Sequence, residues 1–223
     1  MASAPPLVLV HGLWDTPRLF DRLKIQLDGR RSPLLIPYLP NRLGATPILE
    51  LAHRLGSQIE ASFGPHTQID LLGFSMGGVI GRTWIQLQAG RSRTRRFISV
   101  GSPQQGTLTA QPWPSWLLAG IADMKWGSPL LRQLNTNLEG LDGVDCCSFF
   151  CAADLMVLPG WRAVLPLGPR QPLPVRTHQQ LLVVHLHAGG PVNSGSRRAS
   201  VSRPPQAVVR AQRGESGFGG GEI

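Results

Sequence analysis

"IDLLGFSMGGVIGR", Ile69 to Arg82, holds the decisive pattern of the chain. Ile69, Leu71 and Leu72 read as a strand, and Val79 and Ile80 open a helical stretch. Between them one serine, Ser75, stands among Gly73, Gly77 and Gly78. Glycine weakens strands and helices alike, so its concentration at this junction needs a local reason. A G-x-S-x-G run between strand and helix supplies one. The turn is so sharp that a Cβ on either flanking residue collides with the adjoining strand or helix. It lifts the serine hydroxyl above the sheet edge. It also sets a helix N-terminus beneath, where partial positive charge favours a developing anion.

Working outward, short apolar runs alternate with helix-length segments. Leu7–Val10, Leu34–Ile36, Ile69–Leu72, Phe97–Val100 and Cys147–Cys151 are strand-like. None alternates cleanly, as expected of strands covered on both faces. Pro17 to Leu27, Pro47 to Phe63 and Val79 to Leu87 carry apolar residues at helical spacing. The alternation predicts an α/β fold with a mostly parallel central sheet flanked by helices. One domain is expected over residues 1–188. Residues 111–138, with three tryptophans, break the strand–helix rhythm and read as a covering, cap-like segment. Residues 189–223 are rich in Gly, Ser, Pro and Arg. Such a tail buries too little surface to offset its ordering entropy, and disorder is expected there.

A serine nucleophile needs a base, and the base an orienting acid, in the chain order Ser, Asp or Glu, His. Four aspartates follow Ser75. Asp142 and Asp145 precede the last strand-like run and belong to its far end. Asp123 falls in the covering segment. Asp154 follows the run, at the end where loops gather in parallel sheets, and is the chosen acid. Of His178, His185 and His187, His178 in "VRTHQQLL" is the chosen base. "LVLVHGLW" runs a strand into His11-Gly12, so the N–H of Leu13 pairs with that of Met76 as an oxyanion hole. His11 reads as a structural residue of that loop. Trp14, Trp113, Trp116 and Leu117 are the candidate substrate-binding residues.

The chain has 223 residues and a net charge of +9. The dense cluster Arg91, Arg93, Arg95 and Arg96 reads as a solvated basic loop, and no nucleic-acid reading motif accompanies it. Cys146, Cys147 and Cys151 are too close together for a disulfide framework and point to a reducing compartment. No leader-like segment opens the sequence, and no run approaches the roughly 20 apolar residues of a membrane span. A cytoplasmic protein without metal or cofactor is expected.

With these residues placed, the chain resembles the α/β-hydrolase superfamily, and within it small bacterial triacylglycerol lipases. "VLVHGLW", "DLLGFSMGG" and "SVGSPQQGT" match the early strand, the elbow and the strand after it. "CAADLMVLPG" and "THQQLL" match the acid and base segments. The resemblance covers residues 7 to about 182. It implies Ser75, Asp154 and His178 as a triad and a small-molecule or lipid ester as substrate; the apolar residues of the covering segment suit transient contact with a membrane surface. It departs where "QQLLVVHLH" begins a closing helix that Gly189-Gly190-Pro191 interrupts. A short-chain carboxylesterase, an acyltransferase or a thioesterase on the same triad remain open, as does a hydrolase-fold binding protein.

Overall fold

Three strands, Leu7–Val10 (β1), Ile69–Phe74 (β3) and Thr94–Val100 (β4), run side by side at the centre of the sheet. The computed structural model describes residues 4–174. Leu34–Leu35 (β2), Asp145–Phe150 (β5) and Arg170–Pro172 (β6) complete the order β2-β1-β3-β4-β5-β6. Every neighbouring pair is parallel. This is the mostly parallel sheet that the apolar runs predict.

Both faces of the central strands are covered. Val8, Val10, Ile69 and Leu71 pack with Leu51, Leu55 and Ile59 of α2 (Ile48–Phe63) and with Val79, Ile80 and Trp84 of α3 (Met76–Leu87). Leu7, Leu9, Leu72 and Phe74 face the other way, toward Phe20 and toward Leu23 of α1 (Asp21–Leu27). In β1 neighbouring residues therefore point to opposite faces and are all apolar, which removes the alternation seen in half-exposed strands. Two departures from the sequence reading are local. Pro17–Phe20 forms a 3-10 turn ahead of α1. β6 consists of three exposed residues, one a proline, which gives it no apolar signature and suits only a sheet edge.

The N-terminal ends of the strands carry the charge. Asp70 is buried, and its carboxylate accepts from Arg31 Nη2 at 2.5 Å and from Arg95 Nε at 2.8 Å. Arg96 pairs with Asp145 at 2.7 Å. Arg91 donates to the Asp142 carbonyl and Arg93 to the Gly64 carbonyl. Each arginine of the cluster thus stitches the foot of the sheet, so its density has a structural cause. Asp142 and Asp145 lie at this end, away from Ser75.

Residues 108–141 hold α4 (Ala119–Ala122) and α5 (Pro129–Thr136) with flanking 3-10 turns. Asp123 follows α4, and its Oδ2 accepts the Ile48 N–H at 2.8 Å. It thereby satisfies the first turn of α2, whose N-cap is a proline without a side-chain acceptor. Burial raises the Asp123 carboxyl above its usual range. Cys146, Cys147 and Cys151 form no disulfide, and burial pushes Cys146 up to about 12. No helix among the described residues is long and apolar enough to cross a membrane.

Candidate active site

Ser75 joins β3 to α3 with φ 54° and ψ −128°, a conformation that L-residues reach only under strain. Its N–H donates to the Val100 carbonyl at 2.9 Å, which fixes the turn against β4. The three glycines are steric necessities. A Cβ on Gly73 would sit 2.6 Å from the Gly78 nitrogen, and one on Gly77 would sit 2.5 Å from the His11 carbonyl. Gly78 has a separate reason: a Cβ there would meet the Ser102 side chain, at 2.7 Å from its Cβ. The Ser102 hydroxyl fills that space and lies 3.3 Å from the Gly73 and Val100 carbonyls. Sequence spacing explains Gly73 and Gly77; Ser102, 24 residues on from Gly78, gives no local signal of its role.

The loop after β1 closes over the same point. A Cβ on Gly12 would lie 2.8 Å from Ser75 Cβ and 3.3 Å from its Oγ. The loop is pinned by His11, which is buried. Leu39 N–H donates to His11 Nε2 at 3.2 Å, so Nδ1 carries the proton and donates to the Gly12 carbonyl at 3.0 Å. Desolvation lowers the His11 pKa, which keeps the ring neutral in this role.

Asp154 lies beyond the C-terminal end of β5, the sheet end that also bears Ser75. It is fully buried, and its Oδ1 accepts the N–H groups of Met156 at 2.8 Å and Val157 at 3.3 Å. That short turn fixes the carboxylate. His178, like His185, His187 and the tail from Gly189, lies outside the described residues.

Ser75 opens into a cavity of about 670 Å³. Leu13, Trp14 and Trp113 line it, with Phe74, Ala110, Ile121, Met124 and Val157 among the other walls. Trp116 and Leu117 are exposed and are not among its described lining. Met76, the first residue of α3, is buried beneath. Sequence reasoning missed Thr107, Thr109, Leu155 and Met156, which also line the cavity. Thr107 ends the "SVGSPQQGT" stretch, and Leu155 follows Asp154 directly, so adjacency to the motifs was the available signal.

One further residue binds the site from below. Arg82, two turns along α3 from Ser75, is completely buried without a carboxylate partner among the described residues. It donates to Gln86 Oε1 at 2.5 Å and to the carbonyls of Gln104 at 3.1 Å and Leu134 at 2.8 Å. Desolvation lowers its pKa to about 10, so it stays a cation at neutral pH. A single charged residue in an otherwise uncharged helix was the visible sign.

A strained serine at a strand-to-helix turn in a parallel sheet defines the α/β-hydrolase superfamily. The sequence matches the family model for palmitoyl protein thioesterases over residues 6–135, and the chain belongs to that family. The structure is similar to the mature form of the Bacillus licheniformis lipase BlEst2. The TM-score is 0.64 at 14% identity, covering 82% of this chain and 88% of that one. Aspergillus fumigatus lipase B gives a TM-score of 0.62 at 18% identity, over 80% of this chain and 49% of that one. MGS-MChE2, an α/β-hydrolase enzyme from the metagenome of sediments of the Mar Chica lagoon, Morocco, gives 0.58 at 17% identity, over 81% and 84%. No curated protein sequence matches significantly.

Proposed function

We propose that the protein is a serine hydrolase of carboxylic esters that takes lipid-type acyl groups, of the kind found in acylglycerols. The observation that carries this reading is the strained Ser75 hydroxyl at the wall of an apolar cavity. Ser75 attacks the acyl carbonyl while His178 takes its proton. Asp154 holds the imidazole in the productive tautomer and stabilises its charged form. The N–H groups of Leu13 and Met76 stabilise the oxyanion. Gly12 packed on Ser75 supports the first donor and the start of α3 supports the second. The alcohol leaves with the proton from His178, and water then releases the acid from the acyl-enzyme. No step requires a metal or cofactor. Residues 111–138 serve as a cap over the cavity, and the exposed Trp14 and Trp113 at its wall suit transient contact with a lipid surface.

Family membership favours a second substrate: the thioester of a long acyl chain, as the family's name specifies. The same cavity takes the acyl part in either case, and a thiolate replaces the alkoxide as leaving group. A fluorophosphonate probe tests the shared chemistry. Labelling of wild type and none of Ser75→Ala is expected. Absence of labelling in folded wild type removes the enzyme reading and leaves a binding protein. A panel of p-nitrophenyl esters and an acyl thioester of matched chain length then assigns the leaving group.

A further inference from the structure

On the far side of the 103–107 loop from the acyl cavity, Gln105, Trp126, Arg132, Asn135, Arg162 and Arg170 line a cleft of about 460 Å³. Its described lining holds three guanidinium groups and no carboxylate. Arg31, Arg54, Arg95 and Arg96 each pair with Asp or Glu, whereas none of the described ion pairs includes Arg132, Arg162 or Arg170.

The site is partly built. The Arg162 guanidinium lies 3.5 Å over the Trp126 ring, and its Nη1 donates to the Gln105 carbonyl at 2.7 Å. Its Nε is buried without a partner among the described residues. Asn135 Oδ1 accepts from Arg82 Nη2 at 3.0 Å, which leaves the Nδ2 donor for the cleft. Arg82 itself adds a fourth positive charge behind it. Among the described residues, Arg170 makes one long bond of 3.3 Å, to the Pro166 carbonyl. Charged donors from three separate segments, with no acidic group among them, form the pattern that recognises a tetrahedral oxyanion.

We infer that this cleft binds a phosphate-bearing ligand, with Arg132, Arg162 and Arg170 as its charged donors. A phosphomonoester carries close to two negative charges at neutral pH and three acceptor oxygens, and so matches guanidinium forks better than a carboxylate does. The cleft is larger than a bare ion needs, leaving room for an organic group attached to the phosphate. This site does not depend on the chemistry assigned to Ser75.

The test uses the full chain. Inorganic phosphate is titrated calorimetrically at constant ionic strength set by chloride. In parallel, the protein is sedimented with phosphatidylcholine vesicles with and without phosphatidic acid. Saturable binding of one phosphate is expected, weakened roughly tenfold or more in R132Q/R170Q, which removes charge-assisted bonds at exposed positions without disturbing the Trp126 stack. Binding to phosphatidic acid vesicles alone, lost in that variant, assigns the site to a lipid headgroup. Binding of free phosphate alone assigns it to a soluble phosphate ester. Binding of neither probe, or equal binding by wild type and R132Q/R170Q, overturns the inference.

Discussion

The Thr107 hydroxyl accepts the Leu158 N–H at 3.0 Å, which joins the cavity wall to the loop that carries Asp154. Two further bonds reinforce the seam. Thr109 Oγ1 donates to the Met156 carbonyl at 2.7 Å, and Leu108 N–H donates to the Leu158 carbonyl at 2.9 Å. Met156 in turn donates its N–H to Asp154, so the position of this carboxylate is tied to a threonine 47 residues earlier. Thr107→Val leaves the part-buried Leu158 N–H unmatched at a cost of about 1 kcal/mol. Turnover of a p-nitrophenyl ester should fall in kcat more than it changes in KM. Thr107→Ser, which keeps the oxygen, should restore most of the rate. A valine variant with unchanged kcat would show the seam to be irrelevant to catalysis.

Gly12 has no room for a side chain beside Ser75. Gly12→Ala must displace either Ser75 or the loop that follows β1. A shift of about 1 Å at a reacting group costs on the order of 10²-fold in rate. Fluorophosphonate labelling should slow by a similar factor while the far-UV circular dichroism spectrum is unchanged.

Arg82 should matter for stability more than for substrate binding. Arg82→Met strips donors from the Gln104 and Leu134 carbonyls and from Gln86, all in a buried setting. The expected loss is roughly 3 kcal/mol or more, read as a lower urea midpoint. Arg82→Lys keeps the charge but not the fork and should recover little of it.

His11 makes stability pH-dependent with a defined sign. Its folded pKa lies below the unfolded value because burial disfavours the cation. Between the two values the unfolded chain binds a proton that the folded one refuses. Stability is therefore full above the unfolded value, about 6.5, and declines as pH falls toward the lowered folded value. Urea midpoints measured between about pH 7.5 and 5.5 should fall for wild type. His11→Asn, less stable throughout, should give a flatter profile.

Ala110 is buried within the cavity wall near Ile121 and Met124. Ala110→Leu adds three carbons there. The ratio of kcat/KM for octanoyl over butyryl esters should drop, since each methylene excluded from an apolar site forfeits about 0.8 kcal/mol. An unchanged ratio would place the acyl chain elsewhere.

Periodicity and glycine spacing made the sheet and the elbow legible, because both follow from local sterics. Leu7–Val10 and Ile69–Phe74 announce themselves by apolar runs that only two-sided burial explains. β6 did not, since an exposed edge strand needs no apolar residue. The reasons for Gly78, Asp123 and Arg82 were hidden for another cause. Each is satisfied by groups far along the chain, and no short window of sequence records such pairings. Trp113 was legible as a cavity residue through the apolar cluster of the covering segment, and the same cluster did not bring Trp116 to the described lining.

The crowding at Gly73, Gly77 and Gly78 also redirects any engineer who wishes to make the enzyme hardier. Replacing glycine by alanine ordinarily stiffens the unfolded chain and raises the melting point, yet at these three positions it would wreck the turn. The profitable exchange runs in reverse at Ala89, whose φ of 61° holds an alanine where glycine is more at ease. Heat resistance in this molecule is therefore to be sought at the end of the elbow helix, away from its beginning.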